Sequence, residues 1–88
     1  MAHSDKRVVL EGIVRNVKGG IIEVELYDPS SRKLYSHIDI PSFNDKIRKG
    51  QYFKEFYEGE KEMPLFEIVN ENDISAEARR KFSHINSF

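Results

Sequence analysis

The stretch EVELYDPSSRKLYSHIDIP, residues 23–41, sets Tyr27, Tyr35 and His37 around a turn that also carries Arg32 and Lys33. Aromatic rings on an open sheet face can stack unpaired bases while neighbouring cations meet phosphates. These five residues are therefore a candidate surface for single-stranded RNA or DNA. The plainer reading is that tyrosines are ordinary strand residues, paired across a half-exposed sheet face. His37 also stands two residues from Asp39, as an acid–base pair would. No nucleophile joins them, because Ser36 is expected on the opposite face and no G-x-S-x-G arrangement occurs.

A second candidate is EFYEGEKEMPLFE, residues 55–67, in which five glutamates surround Phe56, Tyr57, Leu65 and Phe66. Phe56 and Tyr57 are potential anchors, and Glu58, Glu60 and Glu62 would receive a basic partner protein. The same charges would also stop an exposed strand edge from pairing with other chains. Near the end of the chain, Arg79, Arg80 and Lys81 could touch an acidic partner or balance the upstream acids.

Other chemistries are excluded or unsupported. The chain has no cysteine, which removes disulfides, thiolate nucleophiles and Cys-based zinc sites. His3, His37 and His84 lack ligand spacing, so no metal or other cofactor is expected. Gly19-Gly20 has no Gly-Lys-Ser/Thr after it and reads as a turn. With no convergent acid and base, and little length to enclose a pocket, an enzyme is not expected.

Charge is segregated. Residues 1–54 carry ten basic and seven acidic side chains, a surplus of +3. Residues 55–77 carry one basic and eight acidic, a deficit of −7, and residues 78–88 carry three basic and none acidic. The net −1 lacks the basic footprint that drives phosphate binding, so charge disfavours nucleic acid and favours a protein partner. No apolar run approaches the roughly 18 residues that span a bilayer. The N-terminus has no hydrophobic stretch with a small-residue cleavage site. The expectation is a cytoplasmic protein without membrane contact.

These residues must be positioned by short elements. At 88 residues, one domain is expected, with a stability on the order of 5 kcal/mol to which partner contacts or dimerisation could add. A flexible stretch 1–6 precedes strands over 7–69, and a loop and helix over 70–88 complete the same domain. RVVLEGIVR (7–15) is a strand in which Gly12 signals a bulge or a close backbone approach. Gly19-Gly20 turns it into IIEVELY, where Ile22, Val24 and Leu26 face one way and Glu23, Glu25 and Tyr27 the other. The third strand, 33–40, puts Leu34, Ser36, Ile38 and Ile40 inside and Lys33, Tyr35, His37 and Asp39 outside. Ser42 would cap a single helical turn bearing Phe43 and Ile47. QYFKEFYE is the fourth strand, aromatic on both faces, GEKEM a turn, and PLFEIV the fifth. Asp73 or Ser75 opens a helix over 75–85 with Ile74, Ala78, Phe82 and Ile85 on its apolar side.

Five short strands with turns between them usually curl into a small barrel, because a flat sheet leaves costly edges. The runs EGIVRNVKGGIIEVEL, YSHIDIP and KIRKGQYF resemble the oligonucleotide/oligosaccharide-binding (OB) barrels of RNA-binding ribosomal and ribonuclease proteins, over residues 7–69. The resemblance implies a mostly β fold: a five-stranded OB-like or related barrel, a short helical turn between strands three and four, and a C-terminal α-helix. The chain departs from it in three places. Its charge is not basic, DPSSRKL lacks the expected glycine, and the fifth strand sits amid acids. The expected function is a small non-enzymatic accessory or adaptor module that engages another protein through the acidic aromatic edge or the C-terminal helix. The alternative is single-stranded RNA or DNA on the face of strands two and three.

Overall fold

A computed structural model describes residues 6–58 and 64–86 of the chain. It is mostly β: five strands, β1 (Lys6–Lys18), β2 (Ile21–Asp28), β3 (Lys33–Pro41), β4 (Tyr52–Glu58) and β5 (Leu65–Val69), followed by helix α1 (Ala76–Asn86). All pairings are antiparallel and the sheet order is β3-β2-β1-β4-β5. The sheet is open, with β3 and β5 as its two edges, and is not closed into the expected barrel.

β1 runs further than its β-branched core suggested, because Asn16–Lys18 continue the ladder to the hairpin. Gly19, at φ 69°, supplies the left-handed residue that a two-residue hairpin turn needs. β1 is also bulged twice. Val9 is the extra residue opposite β4, and Arg15 the extra residue opposite β2. Each bulge shifts the side-chain alternation by one and bends the sheet.

Both faces of this bent sheet are covered. On one side Ala78 and Phe82 of α1, with Ile74 just before it, lie over Ile13 and Tyr27, with Leu34, Tyr52 and Val69 around them. On the other, Val14, Ile22, Val24 and Phe53 pack with Ile47 from the loop after β3, flanked by Leu26, Ile38, Ile40, Phe43, Phe66 and Ile68. The two aromatic faces of β4 are thereby explained. Tyr52 meets Phe82 at 6.2 Å between ring centroids, while Phe53 lies 5.5 Å from Phe43 and 6.2 Å from Phe66.

The helix is held at its start. Ser75, one of the two expected caps, accepts the Ala78 N–H at 3.2 Å. Its own N–H and hydroxyl each donate to Glu11 of β1 at 2.8 Å. Glu11 is only 4% exposed, so the bonds from Ser75 are what make its burial tolerable.

The segment between β3 and β4 corrects an expectation: it holds two turns, closed by Ile47 N–H to Asn44 at 3.3 Å and Gln51 N–H to Arg48 at 3.2 Å, and no helix. The local capping residue is Asn44, whose side chain accepts the Lys46 N–H at 2.8 Å and diverts the chain into a turn. Phe43 and Ile47 nevertheless reach the core together. The expected turn GEKEM (59–63), residues 1–5 of the expected flexible start and the side chain of Ile85 lie outside the described residues.

Gly12 has a close approach, and no bulge, as the reason for its type. A Cβ there would fall within the van der Waals envelope of the fully buried Phe53 ring. Gly12→Ala is expected to destabilise the fold by about 1–3 kcal/mol, in the range of overpacked cores. Urea denaturation reads this, and adding Phe53→Leu to the Ala variant should recover part of the loss. An unchanged midpoint for Gly12→Ala would refute the close approach.

Candidate functional site

Tyr27, Tyr35 and His37 do not share a face. On β3, Ser36 and His37 together oppose the single residue Glu25 of β2. This bulge reverses the alternation: Ile38 stays with the cluster on the loop side, while Leu34 pairs with Tyr27 and turns to the helix side. Tyr35 consequently pairs with Leu26 and is 44% exposed. Tyr27, expected outside, is 1% exposed beneath α1. Burial and the neighbouring Glu77 carboxylate push its hydroxyl above the ordinary tyrosine range, and among the described residues that hydroxyl has no hydrogen-bond partner. A ring so placed cannot stack a base.

The cations of this candidate set are dispersed as well. Arg32, at φ 59° where a glycine would be unstrained, reaches Glu77 of α1 at 4.0 Å. Lys33 is exposed and sits opposite Asp28. The five residues proposed to read nucleic acid therefore do not converge.

What the bulge does create is a polar cleft of about 500 Å³, lined by Arg15, Asn16, Glu23, Glu25, His37 and Lys49 among others. His37 has φ 58° and its Nδ1 lies 2.8 Å from Glu23 Oε2, so its partner is Glu23 and not Asp39. That hydrogen bond, helped by Lys18 at 3.5 Å, holds the Glu23 carboxyl below the usual carboxylate range. Two residues along the strand, burial pushes Glu25 the other way, against the pull of Arg15 at 3.4 Å. Ser36, expected opposite His37, lines the same cleft. The described residues also contain no group of three metal-ligating side chains.

The second candidate surface is built on β4 and β5. Phe56 sits between Val8 and Leu65, and Tyr57 stands opposite Arg7, both half-buried. Glu60, Glu62 and the side chain of Glu58 lie outside the described residues. Glu55 was not singled out from sequence. It is half-buried between Leu10 and Phe66, and burial pushes its carboxyl above the usual range. Its position inside an alternating strand with aromatics on both faces concealed which side it would occupy. Among the described residues β5 has β4 as its one strand neighbour, and four of its five residues are apolar and half-buried.

Two outcomes follow from these geometries. An L-residue in the left-handed region costs about 1–2 kcal/mol, most for β-branched side chains. His37→Val and His37→Gly both lose the bond to Glu23, so the Gly variant should be the more stable by roughly that amount. Equal unfolding midpoints would contradict the strained bulge. For Glu55, the folded state binds the proton more tightly than the unfolded state. Its contribution is then full below the ordinary glutamate range and is lost as pH rises through the raised value. Glu55→Gln should accordingly melt higher than the parent at pH 7 and match it near about pH 4; parallel curves at both pH values would show that burial does not perturb this group.

Comparison with protein-family models, with curated proteins and with solved structures finds no match to this chain.

Proposed function

We propose that this chain is a small non-enzymatic binding module, an accessory or adaptor protein, that engages a basic partner protein through its acidic aromatic β4–β5 edge. The observation that carries this reading is the pairing of an apolar edge strand with segregated charge. Among the described residues β5 has one strand neighbour, and its Leu65, Phe66, Ile68 and Val69 are half-buried. It lies within the segment 55–77, which carries one basic and eight acidic side chains. Phe56 and Tyr57 are the aromatic anchors beside it. The C-terminal helix is the weaker route, because its Ala78 and Phe82 side is already spent on the sheet.

Ile38 and Ile40 of β3 and Phe66 and Ile68 of β5 flank the same apolar cluster. Pairing of β3 with β5 would close the sheet into a five-stranded, OB-like barrel, and it would occupy the β5 edge, so closure and partner binding at that edge exclude each other. Single-stranded RNA or DNA on β2–β3 is the second reading; exposed Tyr35 and Lys33 support it, while His37 is bonded to Glu23 on the other face.

Fluorescence anisotropy separates the two. A labelled peptide alternating lysine and valine should bind, lose affinity as salt rises, and bind roughly tenfold more weakly to the Phe56→Ala/Tyr57→Ala variant. A glutamate–valine peptide should not bind. Salt-sensitive binding of short single-stranded RNA that disappears in Tyr35→Ala/His37→Ala, with no binding of the basic peptide, would overturn the proposal.

A further inference from the structure

The two edges of the sheet are treated differently. β3 is defended along its length. Its bulge at Ser36–His37 breaks the ladder, Lys33, Tyr35, His37 and Asp39 are exposed, and Pro41 at its end has no N–H to offer. β5 lacks the bulge and the internal proline, and Glu67 is its one exposed charge. Its register with β4 runs from Leu65 to Val69 without a shift, and Pro64 stands before it. A regular, mostly apolar edge is what a folded protein ordinarily covers.

We propose that β5 is a receptor for an extended segment of a basic partner, which adds to the sheet as a sixth strand. This rests on the protein-binding function above and specifies how the edge is used. Strand addition takes its affinity from main-chain hydrogen bonds and its selectivity from alternate side chains. On one face, the added strand's side chains extend the cluster of Phe66, Ile68 and Phe43, whose Phe43 and Phe66 rings stack at 5.0 Å. On the other face they continue the row of Leu65, Glu67 and Val69.

Charge selects the occupant. Glu55 of β4 lies beside Phe66, Glu71 and Asp73 follow β5 in a single 3-10 turn, and Glu67 on β5 stands opposite Lys54 of β4. A second copy of β5 would bring this acidity against itself, which like-charge pairing across strands penalises. A segment alternating lysine or arginine with apolar residues answers both features of the edge.

N-methylation tests the hydrogen bonds directly, because successive amides of a strand point to opposite edges. The lysine–valine peptide is made in two isomers with equal numbers of N-methyl groups, one on the lysines and one on the valines. One isomer should bind like the parent peptide and the other at least tenfold more weakly. Amide exchange within Leu65–Val69 should slow when the parent peptide is bound. Equal binding of the two isomers, or unchanged exchange in β5, would sink strand addition while leaving a basic-partner site intact. Absence of binding by the parent peptide would sink both. A free protein that sediments as a dimer with β5 amides already protected would overturn the choice of partner in favour of a second copy.

Discussion

The ring of Phe53 lying across the backbone of Gly12 is the contact on which the rest of the arrangement depends. It lets β4 approach the centre of β1 closely enough for three phenylalanines from β4, β5 and the following-β3 loop to form one aromatic group. Tilted and stacked pairs of this kind add about 0.5–1.5 kcal/mol each beyond their buried area. In a chain this short, such contacts are a large share of the net stability.

The opposite face of the same few residues anchors the other layer. Along β1, Glu11 and Ile13 meet the helix, whereas Gly12 and Val14 meet the loop side. Four consecutive residues thus serve two small cores. The strand can do so because its bulges at Val9 and Arg15 free the ends of β1 from this alternation. The outcome is an open sheet covered on both faces over its middle, with its incompletely used surface displaced to the edges. The proposed binding role is a consequence of that displacement.

Much of this was legible in the sequence. The hairpin through Gly19-Gly20, the inward set Ile22, Val24 and Leu26, and the helix carrying Ala78 and Phe82 all follow from period and turn chemistry, with Ile74 packing beside them from just before the helix. Tyr27 was not legible, because its neighbours Glu23 and Glu25 mark the face as polar and α1 arrives from fifty residues away to cover it. Glu25 misled for the same reason, being 3% exposed despite its charge. Bulges are invisible to a reading of alternation, since one surplus residue leaves each half-strand looking regular. The acidic segment 55–77 could be read from charge alone and expected at an edge, and the strand order places β5 there among the described residues.

The surplus residue in β3 has a further meaning for how this chain can vary. Leu34 must reach the helix layer and Ile38 the loop layer, and they are separated by Tyr35, Ser36 and His37. Removing one of these three would leave the anchors three apart, which a regular strand places on opposite faces, so both would keep their layers. The surplus residue is therefore not what sorts Leu34 and Ile38. What it supplies is local: the left-handed turn of the chain at His37 and the bond from that ring to Glu23.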